Sequence, residues 1–338
     1  MGPRLVRVAV LGGGPAGAAA AITLRQAGIE VMIIEPANFP RYRPGETLHP
    51  GIEPLLHKLG VAPLLLNFGY LRHKGIWSAW HGAKQFVPYG EDANGPWYGF
   101  QAPRGDFDQR LLNSACALGA QRIYAAAEGL IFDKTGVISG IQTSSEQVKA
   151  DWVIDASGGA HVLARFLKIV FTRFSPTLVA RYGYRHGTCA EQEYPAIFAD
   201  ATGWTWIAEV EPNRYQWTRV TQPHNRPASH WVPDSLLGLT AGPVYGADVT
   251  WRKAEQLAGE GWFLAGDAAA ILDPSSSQGV LRALMTGMMS AHLIIQSTAG
   301  HISRADCALV YQQWLNDWFA QDVLLMSQSY KVAGLFGF

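Results

Sequence analysis

A glycine-rich turn near the start of the chain restricts its fold more than any other feature. Residues 8–11 are apolar and predict a buried strand, and residues 12–17 read Gly-Gly-Gly-Pro-Ala-Gly. A helix-length stretch and a second apolar strand follow, and that strand ends at Glu35. This order of strand, glycine turn, helix and acid-terminated strand predicts a unit that binds a dinucleotide.

The residues of the turn have separate roles in this prediction. Gly12 permits the tight turn, and Gly14 lets a pyrophosphate approach the backbone. Ala16 and Gly17 lie at the start of the helix within the predicted cofactor site, and Gly17 lets the helix pack close to the strand. The free N–H groups and the dipole of the helix favour the phosphates. The Glu35 carboxylate can accept both ribose hydroxyls but would repel a 2′-phosphate, so FAD or NAD is expected rather than NADP.

Composition limits the class of partner. The 338 residues include 27 basic and 27 acidic side chains, so the formal net charge is zero. A protein without net positive charge is not expected to bind nucleic acid. Three widely spaced cysteines without metal-ligand spacing predict reduced thiols and no metal site, as in a cytoplasmic protein. No apolar stretch has the length of a membrane span, and the first strand is too short for a secretory signal. The sequence gives no indication of an oligomeric state.

The pattern along the chain predicts an α/β fold with a Rossmann-like, discontinuous nucleotide-binding domain. Residues 104–120 have helical spacing and end in a glycine stop. Residues 70–100 and 176–252 alternate apolar and polar positions and are rich in Trp, Tyr, Thr and Val, which favours an inserted, mainly antiparallel sheet. The predicted boundaries are 1–65, 101–168 and 253–300 for the nucleotide domain, 66–100 and 169–252 for the sheet domain that binds substrate, and 301–338 for a helical C-terminal segment.

A second segment narrows the ligand to FAD. Residues 261–267 predict another buried strand ending in an acid, Asp267, and a small-residue loop leads from Pro274 to a helix that begins at Gly279 and Val280. We expect Asp267 to contact ribityl or pyrophosphate hydroxyls. The helix N-terminus is expected at the N1/C2 edge of the flavin, where it stabilises the negative charge of the reduced ring. No His or Cys stands in a setting for covalent attachment, so noncovalent FAD is expected.

Three motifs together carry a family resemblance. The glycine turn, Asp-Ala-Ser-Gly at 155–158 and Gly-Asp-Ala-Ala at 266–269 resemble the flavoprotein monooxygenases of the para-hydroxybenzoate hydroxylase fold, and the resemblance covers nearly the whole chain. It implies O₂ as co-substrate and electrons from reduced nicotinamide or from a partner flavin reductase. It also implies FAD contacts from three arginines, whose planar guanidinium groups suit phosphate and ribose. These are Arg41, Arg43 and Arg104.

Two further motifs narrow the resemblance to one branch. Residues 44–50 and 203–206 resemble the branch of flavin-dependent halogenases, geranylgeranyl-reductase-like enzymes and peptide-modifying monooxygenases. Halogenases characteristically have Trp-x-Trp-x-Ile-Pro, whereas this chain continues from Trp206 with Ile-Ala-Glu. The catalytic lysine of halogenases would fall near Lys74.

Within this branch the chain most resembles the monooxygenases of quinone-cofactor maturation. The similar segments are residues 178–184, 245–252 and 273–280. These monooxygenases oxidise a tryptophan side chain in the small subunit of quinohemoprotein amine dehydrogenase, an early step toward cysteine tryptophylquinone. The resemblance therefore implies a partner polypeptide that carries the target tryptophan, and such a substrate requires an open cleft in front of the flavin.

The implied reaction is hydroxylation of an aromatic ring through a flavin C4a-hydroperoxide, with the inserted sheet as a roof. Trp204 and Trp206 are the predicted substrate contacts, since stacking positions an indole without demanding charge. No general base is evident, and Lys74 and His49 are the candidate catalytic residues. Three alternatives remain: a flavin-dependent halogenase of an aromatic substrate, a reductase of isoprenoid double bonds, and a non-catalytic flavin-binding scaffold.

Overall fold

The computed structural model describes residues 4–80, 82–189 and 194–338; residues 190–193, in the predicted sheet domain, lie outside it. The α-helices are α1 (Pro15–Gln26), α2 (Ile52–Lys58), α3 (Ala62–Leu66), α4 (Arg104–Ala117), α5 (Val162–Leu167), α6 (Gly279–Thr298) and α7 (Arg304–Val332). The strands are β1 (Arg4–Leu11), β2 (Val31–Ile34), β3 (Thr47–Leu48), β4 (Leu71–His73), β5 (Gly75–Ala79), β6 (Gln85–Pro88), β7 (Glu91–Asp92), β8 (Gly95–Pro96), β9 (Gly99–Gln101), β10 (Gln121–Ile123), β11 (Ala127–Phe132), β12 (Ile138–Thr143), β13 (Gln147–Asp155), β14 (Phe171–Arg173), β15 (Val179–His186), β16 (Ala196–Asp200), β17 (Gly203–Glu211), β18 (Arg214–Thr221), β19 (Thr240–Asp248), β20 (Arg252–Ala254), β21 (Ala258–Gly259), β22 (Trp262–Leu264) and β23 (Ala270–Ile271).

Parallel strands form the centre of the first sheet, in the order β10-β2-β1-β13-β22. Strands β12 and β11 continue it in antiparallel fashion from the first half of β13. The end of β1 is buried on both faces from Val8 to Leu11, as a central parallel strand requires. Leu11 pairs with Ile34 and with Asp155, and Asp155 pairs with Leu264. The carboxyl ends of four strands therefore meet at one edge of the sheet.

Small residues bring α1 close to this sheet and to α6. Pro15 begins α1, and the helix continues with a run of buried alanines. A Cβ at Gly17 would lie 2.0 Å from the carbonyl oxygen of Gly12, and a Cβ at Gly287 in α6 would lie 2.1 Å from that of Ala16. Both distances are too short for any side chain. The close approach of α1 to the turn and to α6 therefore depends on glycine at positions 17 and 287.

The second sheet has the order β19-β15-β18-β17-β16-β5-β6 and is antiparallel except between β16 and β5. It combines strands from residues 75–88 with strands from residues 179–248, so the chain contributes to it in two pieces. On β17, Trp204 and Trp206 face a core that includes residues of α7, while Ile207 belongs to a separate core on the opposite face. A third, antiparallel sheet has the order β3-β9-β4.

Helix α7 packs on both large cores. The Ser303 hydroxyl oxygen caps its start by accepting a hydrogen bond from the Asp306 N–H at 3.1 Å. Tyr311 belongs to the core of the first sheet, whereas Met326 and Tyr330 belong to the core of the second. Neither α7 nor any other helix in the described part of the chain is both long and apolar enough to cross a membrane.

The predicted fold class is confirmed: the fold is α/β, with a parallel nucleotide-binding sheet, an inserted antiparallel sheet and a helical C-terminal region. The helix predicted over residues 104–120 corresponds to α4, and Gly119 just beyond it has a φ of +94°. The domain boundaries given above remain a prediction.

Candidate cofactor site and the adjoining cavity

The carboxyl edge of the parallel sheet collects most of the predicted cofactor residues. Gly12 follows β1, Glu35 follows β2, and Asp267 lies in a 3₁₀ turn just after β22. Strand β13 lies between β1 and β22 and ends at Asp155, and residues 156–158 follow it directly. Ligands of open α/β sheets bind at this edge, so the topology brings together residues that are distant along the chain.

The glycine turn leaves one face of its backbone open. Gly12 has a φ of +104°, and a Cβ there would lie 2.4 Å from the carbonyl oxygen of Ala156. A Cβ at Gly14 would lie 3.0 Å from Nη2 of Arg41, the far end of a flexible side chain. The space in front of Gly14 therefore lies between the start of α1 and a guanidinium group. That position suits a pyrophosphate.

The Glu35 side chain is buried at the end of β2, with 6% of its surface exposed. Its Oε2 accepts a hydrogen bond from the Gly13 N–H at 2.9 Å, and its Oε1 accepts one from the Ala37 N–H at 2.8 Å. Each carboxylate oxygen has a second acceptor site. These bonds therefore orient the carboxylate and leave it able to accept ribose hydroxyls, a role that remains a prediction.

Arg41 has an unsatisfied donor. Its guanidinium lies 4.8 Å from the ring centre of Phe39, and its buried Nε has no acceptor within the described residues. Burial lowers the pKa of Arg41, and the charge of Glu35 opposes that effect. A half-buried cation with a free donor fits an anionic ligand. Arg43, the second predicted contact, is exposed beside it.

The guanidinium group of Arg104 is hydrogen-bonded to other groups of the protein. Its Nε and Nη2 donate to the two carboxylate oxygens of Asp108 at 2.8 and 3.0 Å, and its Nη1 donates to the Pro44 carbonyl at 3.2 Å. Burial raises the pKa of Glu46, and the positive charge of Arg104 opposes that effect. The same positive charge also favours the ionised form of Asp267. In the described conformation Arg104 thus anchors the segment at 44–46 to α4 and supplies charge to the edge of the cofactor site.

The second predicted cofactor segment borders a small cleft. The Gly266 N–H donates to Oγ1 of Thr286 at 2.8 Å, which fixes the turn that carries Asp267 against α6. Asp267 and Gly279 both line the cleft. A Cβ at Gly279 would contact no atom of the described residues within 4 Å, so the start of α6 has an open face there. Val280 is buried behind it.

These features fit FAD. Arg41 and the amino end of α1 would hold the pyrophosphate, and Glu35 would hold the adenosine ribose. Asp267 and the amino end of α6 would face the ribityl chain and the flavin ring. The fit rests on the open backbone at Gly14 and Gly279 and on the free donor of Arg41, which are properties of the protein alone.

A larger cavity of about 290 Å³ lies between the 275–278 loop, the second sheet and α7. Its wall combines aromatic, apolar and uncharged polar groups with the charged pair Arg282 and Asp322. The main members are Trp80, Tyr330, Ile197, Met326, Ser276 and Gln278. Arg282 lines both this cavity and the small cleft, and its Nη2 lies 2.8 Å from Oδ2 of Asp322. The cofactor cleft and the cavity therefore adjoin each other at Arg282, and the predicted flavin loop, residues 274–278, borders the cavity.

The two predicted substrate tryptophans lie one layer behind this cavity. Trp204 is 0% exposed and Trp206 is 6% exposed, and both pack in the core between the second sheet and α7. The indole N–H of Trp204 donates to the Tyr330 hydroxyl at 2.7 Å. Tyr330 and Trp80 stand between Trp204 and the cavity. A direct substrate contact by either predicted tryptophan would therefore require this core to open, so the structure favours core packing for both.

The two predicted catalytic candidates differ in their exposure and in their contacts. Lys74 is exposed at the turn between β4 and β5. His49 is half-buried, and its Nδ1 accepts a hydrogen bond from the Gly51 N–H at 3.0 Å, so Nε2 carries the ring proton. Burial lowers the pKa of His49, which keeps the imidazole neutral at pH 7. Neither residue has a partner arrangement that identifies it as a general base.

Three functional candidates escaped the sequence analysis. Asp273 precedes Pro274, a turn signal that could have drawn attention to it. Arg282 lies one turn into a predicted helix, where a surface charge is the ordinary expectation. Tyr330 is contributed by α7, far along the chain, and no local pattern indicates its contact with the flavin loop.

Comparison with known proteins agrees with this geometry. A family model described as an FAD binding domain matches residues 5–232. The tryptophan 2-halogenase of Chondromyces crocatus is 27% identical, over 98% of this chain and 69% of its own length. The menaquinone reductase of Mycobacterium tuberculosis is 28% identical, over 85% of this chain and 76% of its own length.

A solved structure shows the same fold. The myxobacterial chondrochloren halogenase CndH, an FAD-dependent halogenase, superposes with a TM-score of 0.86 at 20% identity, over 97% of this chain and 83% of its own. The matched relatives are enzymes, so the alternative of a non-catalytic scaffold is not supported. The chain belongs to the FAD binding domain family and is an FAD-dependent oxidoreductase of the flavin-dependent halogenase and monooxygenase superfamily.

Proposed function

We propose that this protein is an FAD-dependent monooxygenase that hydroxylates an aromatic ring, and that the ring is a tryptophan side chain of a partner polypeptide during biogenesis of a quinone cofactor. The observation that carries the proposal is the amphipathic cavity directly beside the predicted flavin loop. The resemblance of residues 178–184, 245–252 and 273–280 to quinone-maturation monooxygenases supports the choice of substrate.

The cavity suits one flat ring system. Its volume of about 290 Å³ is at the small end of ligand pockets, and the half-buried ring of Trp80 can stack on a ring without a charged partner. Ser276 and Gln278 add hydrogen-bonding groups on the side of the flavin loop. Leu325 lies at the rim with 56% of its surface exposed, so a side chain presented by a partner can enter from the surface.

The chemistry that reduced FAD supplies when bound is activation of O₂ for oxygen transfer. In the overall reaction one oxygen atom enters a ring C–H bond and the other leaves as water, with two electrons from reduced nicotinamide or a partner flavin reductase. The task of the chain is to hold the ring in place and to exclude water. Trp80, Met326 and Ile197 provide the apolar surface for this task.

The test is to incubate the reduced holoprotein and O₂ with the small subunit of quinohemoprotein amine dehydrogenase and, separately, with free tryptophan. Mass spectrometry then reports the products, and catalase removes any released peroxide. We expect oxygen atoms on one tryptophan of the polypeptide and little conversion of the free amino acid, because affinity from a remote protein surface is used to place the ring. Efficient oxidation of free tryptophan with an unmodified polypeptide would reject this substrate.

Halogenation of an aromatic substrate is the second candidate, and the 27% identity to a tryptophan 2-halogenase favours it. It predicts products that contain bromine or chlorine when halide is added to the same assay. It also predicts loss of activity in Lys74→Ala but not in the control Lys134→Ala, another exposed lysine. Hydroxylation predicts full activity in both variants and products that do not depend on halide.

A further inference from the structure

A buried hydrogen-bond chain ties the predicted flavin loop to the rest of the protein through Asp273. This carboxylate is 1% exposed and caps the 3₁₀ turn Pro274–Ser276, because Oδ1 accepts a hydrogen bond from the Ser275 N–H at 2.9 Å. Its Oδ2 accepts from the Tyr330 hydroxyl at 2.8 Å and from the indole N–H of Trp251. Three donors from three different elements therefore converge on one side chain.

The hydrogen-bond chain continues from Tyr330 to Trp204 in the second sheet. The Tyr330 hydroxyl donates to Asp273 and accepts from the Trp204 N–H at 2.7 Å, so both of its hydrogen-bonding functions are used within the protein. Tyr330 is 1% exposed, and Trp204 and Trp251 are 0% exposed. Water cannot replace a lost partner at such depth, so each broken bond leaves a buried polar group unpaired.

The loop that Asp273 caps needs such support. Ser277 has a φ of +52°, a left-handed conformation that is unfavourable for a residue with a side chain. Ser275, Ser276 and Gln278 of the same loop line the cavity together with Tyr330. The loop ends where α6 begins at Gly279, whose open face borders the cofactor cleft. Any movement of the loop would therefore move the amino end of α6.

We propose that Asp273 is a positioning residue that fixes the amino end of α6 at the flavin, and that Tyr330 and Trp204 complete its support from the wall of the cavity. The positive end of the α6 dipole then stabilises the reduced flavin. The proposal deepens the function proposed above through its placement of the flavin beside the loop, and it is independent of the identity of the substrate.

The principal test is Tyr330→Phe, measured on the holoprotein without substrate. The change removes one hydroxyl and keeps the ring that packs 5.2 Å from Trp80 and 5.4 Å from Trp251. We expect FAD affinity to fall about tenfold, in line with the loss of hydrogen bonds to a buried carboxylate. We also expect the midpoint potential of the bound flavin to become more negative and its visible circular dichroism to change.

Two further variants make the test decisive. Tyr215→Phe is the matched control, because Tyr215 is 3% exposed and its hydroxyl contacts Cys189 in the core on the opposite face of the same sheet. It should lower the melting temperature and leave the flavin potential unchanged. Trp204→Phe removes the outermost bond and should shift the potential in the same direction as Tyr330→Phe, by less; it decides the question if Tyr330→Phe does not fold.

The proposal would be overturned if both Tyr330→Phe and Trp204→Phe kept the wild-type flavin potential, circular dichroism and FAD affinity. The hydrogen-bond chain would then have a merely structural role. A failure of the hydroxylation assay leaves these readouts unaffected, since they need no substrate. The two proposals can therefore fail separately.

Discussion

At the carboxyl edge of the parallel sheet the predicted cofactor contacts lie on the backbone or within short motifs, whereas the cavity beside α7 is built from side chains of four separate segments. Gly12, Gly14 and Glu35 are all within one strand–turn–helix–strand unit. The cavity needs Trp80 after β5, Ile197 from β16, the 275–278 loop and α7 at once. The first region therefore depends on local backbone geometry, and the second depends on tertiary packing.

The largest expected effect of a single change is in the first region. Gly14→Val should weaken FAD binding by about 100-fold or more, or about 2.7 kcal/mol, because a branched side chain would occupy the space proposed for the pyrophosphate. The fold should survive, since the new Cβ meets the flexible end of Arg41 rather than backbone. Isothermal titration of the apoprotein with FAD measures the effect.

Gly129→Val in β11 is the control for that experiment, because a Cβ there makes only an ordinary contact of 3.7 Å with Gln142. It should bind FAD as the wild type does. Stoichiometric FAD in Gly14→Val would mean that the turn at residues 12–17 does not approach the pyrophosphate.

The next effect concerns the small sheet β3-β9-β4. His73 in β4 is 3% exposed, and burial lowers its pKa to about 4. The unfolded chain therefore takes up a proton near pH 6.5 while the folded protein does not, so stability falls as the pH drops from about 6.5 toward 4. Between pH 7 and pH 5 the loss from this residue is roughly 2 kcal/mol.

Denaturant unfolding of the wild type and of His73→Leu at the two pH values measures this loss. The variant should show a smaller difference between pH 7 and pH 5, whatever its absolute stability. An equal difference in both proteins would show that other groups set the acid sensitivity. FAD should be absent from both samples, since bound ligand adds to apparent stability.

The smallest of these effects is confined to the second region. Ser78→Phe fills part of the cavity from β5 and should lower kcat/KM for the aromatic substrate about tenfold, while FAD affinity stays at the wild-type value. Thr240→Phe, at an exposed position on the edge strand of the same sheet, should be neutral in both assays. A parallel loss of FAD binding in Ser78→Phe would erase the distinction between the two regions.

The same contrast explains what the sequence could predict. The pattern around Gly17 and Glu35 predicts strand, turn and helix because the glycine at position 17 is required by a contact with Gly12, five residues away. Period-two alternation places Trp204 and Trp206 on one face of β17, and it contains no information about what covers that face. Residues of α7 cover it, so Trp204 became a hydrogen-bond donor to Tyr330 instead of a cavity wall. Asp322 and Tyr330 lack any local signal for the same reason.

The most direct test of the division into two regions is hydrogen–deuterium exchange of the apoprotein with and without FAD. Slowed exchange is predicted in peptides that cover residues 12–17, 35–43 and 266–280, with little change in β15, β18 and β19. Protection concentrated in residues 179–221, with residues 12–17 unchanged, would place FAD on the second sheet and contradict the account.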